Sequence, residues 1–361
     1  FQLYMGRVLG PVDYGVLGVL FSLFYVLNTP ASTISNVIIK FSSEYKEKEE
    51  YNKIRYLLTK SFKLIGIYGL VFLIVYILLS RYIASFLNID DIMPVILIGI
   101  MIFLSFLSPI MSGLLNGMQK FGWYGANSLI QTSLKLILGI ILVSFGFGVA
   151  GAIMAVNVSV LLAVLLPLIP LAFLFKYKND IKKLNIFKYS LVILFGSAAM
   201  MFIVNIDVIL VKHFFPALEA GYYVAASTLA KIAWFASSAL LMVMFPKISD
   251  RHNKNLDSSS ILKSTLFYTF LISFMVVLVY FIAPTFVSGL LYGKEYKIAG
   301  LIGYFSVGLG FFALNNVLML YNFGINKFRF VYLIIFFDIL ENVLISFFHS
   351  TLLEVIKTVS V

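Results

Sequence analysis

Long apolar runs, separated by short clusters of charged or turn-forming residues, follow one another along almost the whole chain. A spanning helix needs roughly 20 apolar residues. Runs of that order fall at 14–39, 61–87, 92–116, 122–146, 149–175, 187–211, 220–245, 262–290, 299–322 and 330–349, with a partial run at 1–10 and another beginning near Thr351. The runs are continuous rather than alternating, so they predict helices and not the strands of a membrane barrel. The expected fold class is all-α, a polytopic membrane protein. The chain opens inside an apolar segment and closes without a clear stop, so the first and last helices read as truncated.

Composition sharpens this reading. Of 361 residues 61% are apolar and 12% charged, and the mean hydropathy is +1.01. A water-soluble domain could not hide that much apolar surface. The net charge of +11 would suggest a nucleic-acid partner in a soluble protein. Here the charge sits in the connections, which points to an anionic membrane face, with membrane lipids as partners and no nucleic acid. Assigned to alternate sides, nineteen Lys and Arg residues fall on one side, from Lys40–Lys63, Lys120, Lys176–Lys188, Lys247–Lys263, Lys327 and Arg329, and six on the other. The positive-inside rule puts the nineteen, and the N-terminus, in the cytoplasm of a multi-pass plasma-membrane protein.

Candidate chemistry is sparse. The chain has no cysteine, and its three histidines do not fall at metal-ligand spacing. Disulfides, thiolate catalysis and cysteine metal sites are excluded. Phe41–Lys60, the largest connection, reads as an interfacial helix with Glu49 and Lys53 spaced for an ion pair and Ile54, Leu57 and Leu58 on its apolar side. No connection has room for a catalytic domain, so an enzyme is not expected. Gly146-Phe-Gly148 and Gly308-Leu-Gly310 lack the strand and helix context of nucleotide loops, and no cofactor is expected.

The chain also repeats itself. Arg7-Val-Leu-Gly-Pro11-Val-Asp13-Tyr-Gly15 is echoed by Lys212-His-Phe-Phe-Pro216-Ala-Leu-Glu219-Ala-Gly221, at offsets of 205 to 206. Gly117-Met-Gln-Lys120-Phe121 is echoed by Gly324-Ile-Asn-Lys327-Phe328, at an offset of 207. Loops of similar membrane depth favour similar residues, but two matches at nearly one spacing point to duplication. Each repeat covers six spans, so both enter the membrane in the same direction. The expectation is two six-helix lobes, 1–175 and 176–361, related by a pseudo-two-fold axis along the membrane normal and working by alternating access.

The stretch at 7–15, the Gly117–Phe121 turn and above all Asp207–Tyr223 running to Phe245-Pro-Lys-Ile-Ser249 resemble the polysaccharide flippases of the multidrug/oligosaccharidyl-lipid/polysaccharide exporter superfamily. The likeness covers essentially the whole chain. It implies movement of a polyprenyl-phosphate-linked oligosaccharide from the cytoplasmic to the outer leaflet, for cell-surface polysaccharide or glycan assembly, with glycan-assembly proteins as possible partners and a monomer as the state.

An ionised residue at mid-bilayer costs roughly 2.5–3.5 kcal/mol on insertion scales, so each should face a cavity or a partner. Trp123, Asn127, Gln131 and Lys135 fall four apart and form one stripe, suited to a cavity wall or to polar helix packing. Asn28, Ser32 and Asn36 form a second row with Pro30 as a bend, read as packing. Lys231 lies near mid-depth with Ser227 and Trp234 close by. If Lys135 and Lys231 both face a cleft, they would offer positive charge to a phosphate and repel cationic drugs. Asp207, and Asp338 with Glu341 and Asn342, are the acidic cluster. It resembles the sodium site of the related lipid II flippases with the helix-eleven pair reversed, while sodium or proton coupling, a structural ion pair and substrate contact all remain open. Arg7 and Lys212 occupy equivalent outer positions, as gate charges or interface anchors. The competing functions are a cation-coupled multidrug exporter and a membrane glycosyltransferase or polymerase.

Overall fold

A computed structural model describes residues 1–178, 198–254, 256–325, 327 and 329–360. The first part of the run expected at 187–211, much of the basic stretch 176–188, and Phe328 lie outside the described residues. Every regular element among the described residues is helical, and eight helices there are long and apolar enough to cross a membrane. Helices are the expected solution, since lipid offers no partner for an open backbone N–H or C=O.

The chain forms α1 (Gln2–Leu27), α2 (Pro30–Glu47), α3 (Tyr51–Phe86), α4 (Ile92–Gly117), α5 (Phe121–Leu142) and α6 (Gly148–Leu165). After a helical stretch at 198–203 come α7 (Ile206–Phe214), α8 (Ala217–Phe235), α9 (Ser238–Asn253), α10 (Ser259–Ile282), α11 (Pro284–Leu291), α12 (Ala299–Gly324), α13 (Phe330–Phe347) and α14 (Leu352–Val359). Contacts divide these into two compact units, Phe1 with Leu20–Met201, and Gln2–Val19 with Phe202–Val361.

Proline and glycine set most of the departures from the expected runs. Within α1 the backbone leaves the helix at Gly10, whose φ of 74° favours glycine, so two helices meet there across a kink, as the separate runs at 1–10 and from 14 onward predict. The run expected at 14–39 is cut at Asn28 and Thr29, ahead of Pro30. The run at 262–290 is cut at Ala283, which the following Pro284 pushes out of the helical region. The run at 220–245 breaks at Ala236 and Ser237.

The interfacial helix expected at Phe41–Lys60 is absent. Glu49, at φ 56°, turns the chain between α2 and α3, and the residues after it are the first turns of the 36-residue α3. Lys53 pairs with Glu50 at 2.6 Å rather than with Glu49. Ile54, Leu57 and Leu58 are buried with Ile38, Leu114 and Leu115 in the core of the first unit. The apolar side of that segment therefore seeks neighbouring helices, not the lipid surface.

In lipid, helix association depends on close packing, which small residues allow. In the first unit Gly113 and Gly117 of α4 face α2, where a methyl group at Gly117 would run into Ser42 and the Ile39 carbonyl. Two asparagines tie α6 to its neighbours: Asn157 donates to the Leu97 carbonyl at 3.0 Å, and Asn127 of α5 donates to the Ala163 carbonyl at 3.2 Å. In the second unit α10 reaches α8 through Tyr280, which donates to the Leu229 carbonyl at 2.9 Å, and Ser273, which donates to the Ala233 carbonyl at 3.2 Å.

The two copies of the repeated motif meet within the second unit. Gly15 lies against Gly221 and the Ala217 carbonyl, and Gly221 lies against Pro11. Gly18 lies against Val224, again at the repeat offset. This reciprocity is the pattern that a two-fold relation between duplicated segments produces.

Candidate functional site

Helices of the first unit line an open cavity of about 450 Å³. From α1 it receives Phe21, Phe24 and Tyr25, with Asn28 at the helix end; α2 contributes Ser32 and Ser35. From α4 come Ser105, Ser108 and Ser112 around Pro109, from α5 Gln131, Thr132 and Lys135, and from α6 Ser159. Pro109 has no N–H, so the Ser105 carbonyl loses its helical donor beside the cavity.

Several hydroxyls anchor to their own helices. Ser32 donates to the Thr29 carbonyl at 3.0 Å, Ser112 to that of Ser108 at 3.2 Å and Ser159 to that of Val156 at 2.8 Å. Each still offers its oxygen as an acceptor. The hydroxyls of Ser35, Ser105 and Ser108 have no hydrogen-bond partner among the described residues, and the Asn28 Oδ1 is buried without one. Lys135 is the cation of this wall, its Nζ 5.4 Å from the centre of the Phe1 ring. Among the described residues no carboxylate lines the cavity, and none lies within ion-pair distance of Lys135.

The α5 stripe divides. Gln131 and Lys135 line the cavity, Asn127 is buried with its Nδ2 donating to the Ala163 carbonyl and its Oδ1 without a partner among the described residues, and Trp123 is exposed. The α4 serines escaped the sequence reading, although their spacing at 105, 108 and 112 puts polar groups on one face of an otherwise apolar helix.

The second unit holds a different polar group. Asp207 sits in the first turn of α7, directly after the chain breaks at Val204 and Asn205, where the positive end of the helix dipole favours a carboxylate. It is buried; one oxygen accepts from the Tyr223 hydroxyl at 2.8 Å and the other has no partner among the described residues. Lys231 donates to Asn205 Oδ1 at 3.1 Å and lies within electrostatic reach of Asp207. Asp338 and Glu341 of α13 are buried, each with one oxygen unpartnered among the described residues. Glu341 is within electrostatic reach of both Asp207 and Asp338. Asn342 donates through its Nδ2 to the Asp338 backbone carbonyl at 2.7 Å. Among the described residues no three His, Cys, Asp or Glu side chains are gathered as metal ligands. Trp234 packs on Phe235 and edge-on to Phe312. Arg7 is exposed and donates to the Leu290 carbonyl at 3.4 Å, whereas Lys212 is buried.

With this geometry in view, a family model described as "Polysaccharide biosynthesis protein" matches residues 4–299. The chain belongs to that family. An uncharacterized membrane protein of Methanocaldococcus jannaschii is 25% identical over 281 residues, 72% of this chain and 65% of that protein's length. Among solved structures, an inward-facing multidrug resistance MATE family transporter of the MOP superfamily superimposes with a TM-score of 0.81 at 16% identity, over 100% of this chain and 90% of its own. The lipid II flippase MurJ gives 0.73 at 15% identity, over 99% and 81%. A MOP superfamily transporter from Pyrococcus furiosus, described as having a binding pocket of reverse polarity, gives 0.67 at 16% identity, over 99% and 85%. This polysaccharide biosynthesis protein thus has the helical fold of the MOP superfamily and is a multi-pass membrane protein. Its fold is the one those transporter and flippase structures share.

Proposed function

We propose that this protein is a transporter that flips a polyprenyl-phosphate-linked oligosaccharide from the cytoplasmic to the outer leaflet of the plasma membrane, by alternating access, for cell-surface glycan assembly. The observation that carries the reading is the cavity of the first unit, which sets Lys135 among hydroxyl and amide groups with no lining carboxylate among the described residues. An ammonium so placed attracts a phosphate as a point charge and repels a cationic drug. Serine, threonine and amide groups suit the many hydroxyls of a sugar. Membership of the polysaccharide biosynthesis family supports the same substrate class. Asp207, Asp338 and Glu341 are the groups we assign to coupling, through exchange of a sodium ion or a proton. Lys231, close to Asp207 and bonded to Asn205, sets the charge of that cluster.

The test is flipping of a fluorescent polyprenyl-diphosphate oligosaccharide in proteoliposomes. Wild type should expose the label to an external quencher, and Lys135→Gln should slow this at least about tenfold, the worth of one charge-assisted hydrogen bond. Unimpaired flipping by Lys135→Gln would remove the cavity from the mechanism. Resistance to cationic drugs on expression in a sensitive strain, with no lipid-linked substrate moved, would favour the multidrug exporter instead.

A further inference from the structure

The cavity lining mixes polar side chains with an aromatic group. Phe21, Phe24 and Tyr25 of α1 line it together, with the Phe24 and Tyr25 ring centres 5.5 Å apart. The same lining carries the serines of α2 and α4, and Lys135. Small-molecule sites of roughly 300–1,000 Å³ combine an apolar or aromatic wall with a few placed polar groups, and about 450 Å³ falls within that range. A pyranose ring has this division in itself, with apolar C–H faces and a rim of hydroxyls.

Resting on the flippase reading, we propose that this cavity selects the sugar next to the phosphate, taking an uncharged hexose and discriminating against a uronic acid. The aromatic group receives the C–H face of the ring, the serine hydroxyls of Ser35, Ser105 and Ser108 bond its rim, and Lys135 holds the phosphate. The charge balance gives the selectivity. Among the described residues the lining supplies one cation, Lys135, and the phosphate takes it. A carboxylate at the sugar's C6 position would add a further negative charge beside a phosphate whose own charge already matches or exceeds that one cation, so nothing described in the lining is left to pair it. Burying a charge that lacks a partner is strongly unfavourable. A neutral hydroxymethyl group at the same position meets only hydroxyls and rings.

Two soluble probes that differ only at C6, glucose 1-phosphate and glucuronic acid 1-phosphate, isolate this difference, with inorganic phosphate as reference. Binding to the purified protein in detergent micelles, followed by calorimetry, should be at least about tenfold tighter for glucose 1-phosphate than for the acid, a difference of one poorly compensated charge. Lys135→Gln should weaken all three probes. Phe24→Ala, and Phe24→Leu where the alanine variant unfolds, should bring glucose 1-phosphate toward the affinity of inorganic phosphate while leaving phosphate itself unchanged. Equal or tighter binding of the acid, or no binding of either sugar phosphate to wild type, overturns the selectivity. The flippase reading is judged separately, by flipping of the lipid-linked substrate, which can persist in either of those cases.

Discussion

Lys135 and Lys231 bring the same charge into apolar helices and meet different surroundings. Lys135 lines a cavity with an aromatic ring as its described neighbour, whereas Lys231 is engaged by Asn205 near the Asp207 carboxylate. Both were legible in the sequence, because a lysine in a long apolar run is conspicuous on cost alone. Their surroundings were not: Asn205 beside Lys231, and the α4 serines that share the cavity lining with Lys135, are neutral and ordinary until the fold gathers them. Two outcomes follow at this scale. Lys135→Gln should leave thermal unfolding of the purified protein unchanged or raised, since no described carboxylate is orphaned by its loss, while transport falls. Tyr223→Phe removes the described donor to Asp207 Oδ2 and should destabilise the protein by roughly 1–3 kcal/mol in denaturant unfolding, the usual cost of an abandoned buried acceptor. No change in stability would mean that Asp207 finds another donor.

Individual helices show which sequence signals carry across a membrane fold. Pro30 was legible as a bend, and it heads α2 directly after a break. Pro284 went unnoticed in an apolar run, although the residue before it leaves the helical region for the same steric reason. The amphipathic start of α3 was read as lying on lipid because its apolar face was visible while its neighbours were not; Leu57 and Leu58 in fact pack against α2 and α4. Gly113 and Gly117, four apart, mark the close approach of α4 to α2. Gly117→Val should force that approach open and lower stability by roughly 1–3 kcal/mol, as overpacking does. Gly122→Val, at a position where an added methyl group meets nothing within 4 Å, should leave stability almost unchanged. Equal effects of the two substitutions would show that helix propensity, not the α2 contact, sets the cost.

For the whole molecule, the absence of native cysteine makes orientation directly testable. Single-cysteine variants at the exposed positions Lys48 and Lys294 should behave oppositely in intact cells, Lys294→Cys reacting with an impermeant maleimide added outside and Lys48→Cys only after the cells are opened. The reverse pattern would invert the proposed topology. The sequence by itself determined that the chain is a helical membrane protein, roughly where its helices run, and that its segments are duplicated. Those properties depend on hydrophobicity summed over long windows and on local proline and glycine sterics. Only the tertiary structure decided that the serines of α2 and α4 join Lys135 around one cavity, that Asp207 and Lys231 are neighbours, and that Gly15 meets Gly221. Hydroxyls and glycines carry little signal singly, and their role arises from which helices pack closely enough to bring them together.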